Sequence, residues 1–459
     1  MSQAQPKSWS VVKFGGTSVS SVDRWQVIAG LLAAPEAAGL HTALVCSAVA
    51  GVTDQLDRFI KADSPAVRSQ IARQLLETHR HLAAAMEVTA QDELGHLARE
   101  LDSSLAGELD FSDQARLMAL GEWISSKLGC LYLQSQGLDA VWQDAQTALH
   151  CNPDDHPQRA WLEAECLATA DQVLQRRWAA SRIVVTQGFV GSNDTGQTVL
   201  LGRGGSDTSA VCLGAVLAAA RVEIYTDVDG VFSADPYQVP EARLLHHLEY
   251  EEALEMAGAG AMVIHPRAIR AAQRAGIIVS VRRAKAKPGP GTEIGAPLVD
   301  SGFSFKAVTC RKGMAAILLE NQDIRRSIGF LAWVFDVFTS HGISIDQVAT
   351  SETTTTVLLD RQLNRLGSDE LETLLGRLRE RCQVTPFDSC ACVCVVGHGV
   401  SQVLGSLGPA LQILEQSPLY LASLSANDLA YSMVVPDQYA DQLTAALHQV
   451  VVPAMALSK

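Results

Sequence analysis

The run Ser10-Val-Val-Lys-Phe-Gly-Gly-Thr-Ser18 joins a β-branched stretch to a glycine turn and then to a helical pattern, SSVDRWQVIAGLL. A second run, Gly202-Arg-Gly-Gly-Ser-Asp207, opens a small-residue helix, TSAVCLGAVLAAA. Strand, glycine turn and helix in that order present unpaired backbone N–H groups and a positive helix end to an anion. Glycine suits the turn because a side chain would hold backbone and phosphate apart. The Walker pattern GxxxxGK[ST] is absent, so this is not a P-loop nucleotide site. Working outward, strands are expected at Ser10–Phe14, Thr42–Ser47, Arg182–Phe189, Val222–Thr226 and Ile277–Val281, and a mostly helical stretch from Thr53 to Gln136. Strands separated by helices predict an α/β domain with a mainly parallel sheet between helices.

The texture changes after Lys285. The run KAKPGPGTEIGAP to Pro297 is dense in Pro and Gly and reads as punctuation. Beyond it two small α+β units are expected. The first has a strand at Ala315–Glu320, a helix near Gly329–Ser340 and a strand at Ile343–Val348. The second has a strand at Ala391–Val396, a helix over Ser401–Gln416 and strands at Tyr420–Leu424 and Ala430–Val435. The repeated rhythm suggests paired copies of one module. The resulting division is 1–298 and 299–459. In the first part 53–136 is helix-rich and 200–298 forms a second half; the second part splits into 312–389 and 390–459.

Composition narrows the function. The 459 residues include 36 Lys and Arg against 50 Asp and Glu, a formal charge of −14. That balance argues against nucleic acid or an anionic membrane as partner, since both need clustered cations. No run approaches the roughly 18 apolar residues of a membrane span, and the N-terminus carries no apolar signal region; a cytoplasmic protein is expected. Ten cysteines are too sparse for a disulfide scaffold and none forms a metal-finger CxxC pair, so no metal site is expected. Cys390, Cys392 and Cys394 alternate with strand period and read as small buried hydrophobes.

KFGGTS and GRGGSD, with VTQGF before the second and YTDVDGVFSADP after it, resemble the aspartate kinases of the amino acid kinase superfamily. The resemblance extends to SAVAGVT (Ser47 to Thr53), the Gly121-Glu122 pair, the segment ending His265-Pro266, and a tail similar to two ACT regulatory modules. It implies ATP-dependent phosphorylation of the side-chain carboxylate of L-aspartate, with Mg²⁺ carried mainly on the phosphates. It also implies that the strand near 304–311 belongs with the last ACT module. By the same resemblance Lys13 supplies positive charge to the reacting phosphoryl group, Gly15 and Gly16 cradle its oxygens, and Asp207 holds Lys13. A carboxylate nucleophile is already ionised at neutral pH and needs no base. Arg203 offers its planar fork to a substrate carboxylate, Glu122 takes the ammonium, and Ser47 and Thr53 complete the substrate pocket. Without the resemblance, Glu122 reads as an ordinary exposed helix glutamate and Asp207 as a helix cap.

Thr226, Asp227, Phe232, Tyr237, Met262 and Val263 correspond to the family's nucleotide positions. Three depart from its pattern: Phe232 stands for Tyr, Tyr237 for Arg and Met262 for Lys. Two cations are thereby missing, which implies weakened or rearranged ATP binding unless Arg267, Lys285 or Lys287 substitutes. In the tail, the resemblance to lysine-sensitive forms places an allosteric amino acid among Ser327, Gly329, Phe330, Leu331, Ser344, Asp346, Thr350, Ser351 and Glu352. Lysine is the expected ligand and threonine the competing one. The assembly implied is a homodimer through the ACT modules, or a tetramer. A catalytically silent amino-acid sensor, a kinase of another small carboxylic acid and one half of a bifunctional protein remain alternatives at this level.

Overall fold

A computed structural model describes residues 9–34, 39–261, 263–287, 289–297, 304–321, 328–364 and 366–455. Two compact units emerge. The first comprises the described residues up to 231 together with 244–253 and 263–297, and the second comprises 232–243, 254–262 and the described residues from 304 onward. The division is therefore not a single cut near residue 298. Segment 232–243 joins the second unit because Val308 N–H donates to the Ser233 carbonyl (2.8 Å) and the Ser233 hydroxyl meets His448 Nε2 (2.9 Å).

The first unit is built on an eight-stranded sheet. Its strands are β1 (Trp9–Phe14), β2 (His41–Cys46), β3 (Ala140–Trp142), β6 (Ile183–Gln187), β9 (Arg221–Thr226), β10 (His247–Glu249), β11 (Val279–Arg283) and β12 (Thr292–Gly295), in the order β10-β12-β11-β9-β1-β2-β6-β3. Every neighbouring pair is parallel except β11 with β12. The Val- and Ile-rich strands are buried on both faces, as a parallel sheet requires. A small sheet of β4 (His150–Cys151), β5 (Cys166–Leu167), β7 (Val190–Ser192) and β8 (Thr198–Leu200), ordered β5-β4-β7-β8, lies in the same unit.

The helix-rich stretch is α1 (Val22–Ala33) followed by α2 (Val52–Lys61), α3 (Pro65–Ala85), α4 (Gln91–Ser103) and α5 (Phe111–Ser135). Their apolar residues merge with β1 and β2 in one core that includes Phe14, Trp25, Phe59, Leu75 and Leu101. Two capping side chains mark helix starts, Ser64 accepting from Val67 N–H and Asp110 from Asp113 N–H. The remaining helices of this part are α6 (Pro157–Leu162), α7 (Gln172–Trp178), α8 (Gly205–Val216), α9 (Tyr250–Gly258) and α10 (Pro266–Ala275).

The second unit carries a six-stranded sheet of β13 (Ser304–Glu320), β14 (Gln347–Thr350), β15 (Thr354–Asp360), β16 (Gln383–His398), β17 (Leu421–Leu424) and β18 (Ala430–Pro436), ordered β14-β15-β13-β16-β18-β17. The long central strands β13 and β16 serve two modules. Residues 304–311 of β13 share a core with β16, β18 and α14 (Asp437–Met455), whereas Ile317 and Leu319 pack with α11 (Phe330–Ser340) and α12 (Ser368–Leu378). Register shifts between Arg311 and Ala316 mark the join. Cys390, Cys392 and Cys394 are buried in β16.

Several expected elements move. The Pro- and Gly-rich run to Pro297 contains β12, because Thr292 and Ile294 are buried between two neighbours. The strand expected at Arg182–Phe189 stops at Gln187, where Phe189 adopts φ 69°. The strand expected at Ile277–Val281 starts at Val279 and runs to Arg283. The one expected at Ile343–Val348 begins only at Gln347, since the Ser344 N–H is claimed by Asn364 Oδ1 at 2.7 Å. The helix expected over Ser401–Gln416 is a 3-10 segment (Val400–Leu407), the single turn α13 (Gly408–Leu411) and a further 3-10 segment (Gln412–Glu415). Gly405, Gly408 and Pro409 weaken a continuous α-helix there.

The contact of Trp25 with α5 tests this packing. The indole of Trp25 lies against the backbone at Gly129, where a Cβ would overlap the ring, and its N–H donates to the Val19 carbonyl at 3.1 Å. Gly129→Ala should cost about 1–3 kcal/mol by overpacking, read as a lowered denaturant midpoint; an unchanged midpoint would refute the tight contact.

Candidate functional site

Parallel strands place their C-terminal ends on one edge of the sheet, the place where α/β sheets bind ligands. Gly15 follows β1, Ser47 follows β2 and Asp227 follows β9. Lys13, on β1 between Val45 and Ile224, points its ammonium toward the same edge, with Nζ 3.7 Å from where a Cβ on Gly15 would lie. At Gly16 the backbone turns so closely over β2 that a Cβ would stand 2.8 Å from the Ala48 carbonyl oxygen. This cradle accepts glycine and nothing larger.

The second turn arrives from the other side. Gly204 has φ 65° and packs so tightly on His265 that any side chain would overlap the imidazole. From this left-handed residue α8 starts, so the N–H groups of its first turn lack intrahelical acceptors and face an incoming anion. Asp207 in that turn sets its Oδ1 2.6 Å from Lys13 Nζ, both side chains largely buried. The two opposite charges are in direct contact. An ammonium carries three donors, so its contact with Asp207 leaves others for an anion.

Glu122 departs most from its plain sequence reading. It lies on α5 where that helix is buried nearly all round, and it is 4% exposed. Burial pushes its carboxyl up to about 8, against the opposing influence of backbone N–H bonds from Ala48 and Glu122 itself and of the Lys13 charge. Its Oε2 has no hydrogen-bond partner. A buried acceptor without a donor is costly unless a ligand supplies one, and a cationic donor fits it best. Ser47 and Thr53 are half-buried, Thr53 in the first turn of α2. Arg203 is exposed and makes no ion pair among the described residues.

At the β9 end, Thr226 donates to Asp227 Oδ1 at 3.0 Å. Two cations gather here: Lys285, a candidate substitute from the sequence, and Arg283, which motif reading did not single out. Arg283 Nε donates to the Asp227 carbonyl at 2.6 Å, and Lys285 pairs with Asp229 at 3.0 Å. Arg267 is not available as a substitute cation, because its guanidinium donates to the carbonyls of Leu201 and Glu163, both at 2.7 Å. Lys287 is exposed and Val263 half-buried. Phe232 and Tyr237 belong to the second unit, where Phe232 is half-buried and Tyr237 is 90% exposed. Met262 lies outside the described residues. His265, quoted only as part of a motif, caps α10 by accepting from Arg267 N–H at 3.2 Å; burial, more than the neighbouring Arg267, lowers its pKa. The Pro at the first position of α10 was the available signal for that cap.

In the second unit, Gly329 adopts φ 85° at the start of α11, with Phe330 buried and Leu331 half-buried behind it. Ser344 exchanges backbone bonds with the Asn364 amide. Both Asp346 oxygens are engaged: Oδ1 with Arg311 at 2.6 Å and Oδ2 with the Asp360 N–H at 2.7 Å. An ammonium at Asp346 would therefore compete with Arg311. The Ser351 hydroxyl accepts from Thr353 and Thr354 N–H in the turn after Thr350, and Glu352 is exposed beside it. Ser327 lies outside the described residues.

A model of the amino acid kinase family matches residues 8–283. Lysine-sensitive aspartokinase 3 of Escherichia coli is 32% identical over 454 residues, spanning 95% of this chain and 98% of that one. The chain belongs to the aspartokinases of the amino acid kinase family. Aspartokinase 1, chloroplastic, of Arabidopsis thaliana is 28% identical over 96% of this chain and 79% of its own length. Among solved structures, E. coli aspartokinase III in complex with aspartate and ADP superposes with a TM-score of 0.79 at 28% identity, covering 96% of this chain and 99% of that one. The same enzyme in complex with lysine and aspartate gives 0.78 at 28% identity, with the same coverage. This aspartokinase chain thus shares its fold over nearly its whole length with enzymes caught in two ligand states. No helix among the described residues is long and apolar enough to cross a membrane.

The Glu122 environment sets a pH signature for the ligand-free chain. Its folded-state pKa is raised from 4.5 to about 8, so the folded form keeps a proton that the unfolded form has lost. Stability is then greatest below about pH 4.5 on this account and declines as pH rises toward 8, by up to about 1.4 kcal/mol per pH unit. Glu122→Gln should remove that decline. Melting temperatures across this range that fall equally in both proteins would contradict the assignment.

Proposed function

We propose that this chain transfers the terminal phosphoryl group of ATP to the side-chain carboxylate of L-aspartate, giving 4-phospho-L-aspartate, and that L-lysine inhibits it through the C-terminal ACT modules. The observation that carries the reading is the Lys13–Asp207 ion pair at the sheet edge, flanked by glycine cradles and by the donorless Oε2 of buried Glu122. Similarity to a lysine-sensitive aspartokinase over nearly the full chain supports the substrate and the inhibitor.

Phosphoryl transfer to a carboxylate brings two anions together. The terminal phosphate lies against Gly15, Gly16 and the first turn of α8, whose N–H groups stabilise its equatorial oxygens. Lys13 sits between phosphate and carboxylate, and Asp207 steadies it. Because the nucleophile is ionised already, no residue needs to act as a base. The substrate ammonium enters the Glu122 pocket and favours its carboxylate form, the carboxyl proton leaving to solvent, while Arg203 reaches for the α-carboxylate. Mg²⁺, when bound with the nucleotide, supplies further charge neutralisation. Of the two carboxylates after β9, Asp227 accepts from the Thr226 hydroxyl and Asp229 is paired with Lys285, so the metal would be held mainly by phosphate oxygens and water. Arg283 and Lys285 supply cations at the β9 end of the site. The active assembly proposed is a homodimer through the ACT modules.

Trapping with hydroxylamine tests the chemistry. Aspartate with Mg-ATP should give the aspartyl hydroxamate, while glutamate and N-acetylglutamate give little. Lysine should suppress the signal at concentrations where threonine does not. Hydroxamate from glutamate but not aspartate would overturn the substrate; indifference to lysine would overturn the inhibitor.

A further inference from the structure

All ten cysteines are free thiols, seven of them buried. Three meet. Cys151 on β4 and Cys166 on β5 are direct partners across an antiparallel pair; the Cys166 thiol donates to the Leu167 carbonyl at 3.6 Å, and the thiols of Cys151 and of Cys212 on α8 both act on it. We propose that Cys151 and Cys166 form a reversible cross-strand dithiol–disulfide couple, with Cys212 as the alternative partner of Cys166. The proposal does not depend on the kinase reading.

Backbone pairing supports closure. Asn152 N–H donates to the Glu165 carbonyl at 2.8 Å, which makes that the hydrogen-bonded pair. Alternation along the ladder then makes Cys151·Cys166 a non-hydrogen-bonded pair, whose Cα atoms stand about 4.5 Å apart. That lies within the Cα separation a disulfide spans, roughly 4.4–6.8 Å. The neighbouring strand supplies room: Gly191 on β7 has no side chain, and a Cβ there would fall 2.7 Å from Cys151 Sγ. Cys166 is half-exposed while Cys151 and Cys212 are buried, so a small oxidant meets Cys166 first.

The segment between the two cysteines buttresses the second glycine turn. Ala164 N–H donates to the Leu200 carbonyl at 2.8 Å, Glu163 bridges to Leu201, and the Glu163 carbonyl receives Arg267. A disulfide at its base would fasten the support of Gly202 and Arg203.

The oxidant is a low-molecular-weight disulfide. Cys166 thiolate attacks one sulfur of glutathione disulfide and releases one glutathione thiolate. Cys151, having given its proton to solvent, then attacks the Cys166 sulfur of the mixed disulfide and releases the second glutathione. Two protein thiols lose two electrons and two protons, and glutathione disulfide gains them as two thiols. The contacts among the three thiols and their burial hold Cys166 protonated well above the ordinary thiol range. Closure should therefore accelerate as pH rises.

The full-length chain is incubated with glutathione disulfide between about pH 7 and about pH 9 and mapped by non-reducing peptide mass spectrometry, with circular dichroism confirming that each variant is folded. A Cys151–Cys166 linked pair is expected, forming faster at higher pH and disappearing with dithiothreitol. Cys166→Ser should abolish it, Cys212→Ser should leave it, and Cys151→Ser should divert the link to Cys166–Cys212. A glutathione adduct on Cys166 that never resolves, no reaction at Cys166, or cross-links scattered among the other cysteines would overturn the proposal.

Discussion

Like charges repel, and a phosphoryl transfer onto a carboxylate must overcome that before any bond forms. At an effective dielectric of about 20, two unit anions about 3.5 Å apart repel by roughly 5 kcal/mol. In the proposed mechanism the Lys13 ammonium, held 2.6 Å from Asp207, is the fixed cation that offsets this. Its position depends on two remote parts of the chain. The parallel register of β1 with β2 and β9 sets where Lys13 emerges, and the left-handed Gly204 sets where α8 begins and hence where Asp207 stands. Neither pins the ammonium alone. Together they place one cation beside two sets of backbone N–H groups without using up its donors.

Much of this was legible in the sequence because it rests on local grammar. Strand–glycine turn–helix is a short-range pattern, and the β-branched runs before Lys13 and before Asp227 left little freedom in the sheet. The two α+β modules announced themselves by rhythm. What sequence could not show is what tertiary packing decides. Glu122 reads as a surface glutamate because its neighbours are mixed in polarity, yet α5 is wrapped by β-sheet and helices on nearly every side. Asp346 reads as a free carboxylate, yet Arg311, distant in sequence, occupies it. Arg267 reads as a spare cation, yet two backbone carbonyls consume it. The break of the expected 401–416 helix follows from glycine and proline whose cost outweighs an apolar periodicity.

The same contrast bears on how the nucleotide end adapts. Motif comparison removes two cations, at Tyr237 and Met262; Arg283 and Lys285 stand at the end of β11, the strand beside β9. Both are partly committed to Asp227 and Asp229, so their attraction for phosphate is moderated by those acids. In the regulatory half, the central strands β13 and β16 are each shared by two modules.

The most direct measurement is single-turnover acyl-phosphate formation by Lys13→Ala, with circular dichroism and denaturant unfolding confirming the native fold. The account predicts that product formation falls by orders of magnitude while the folded structure is retained. A folded Lys13→Ala chain that makes product at close to the native rate would contradict it.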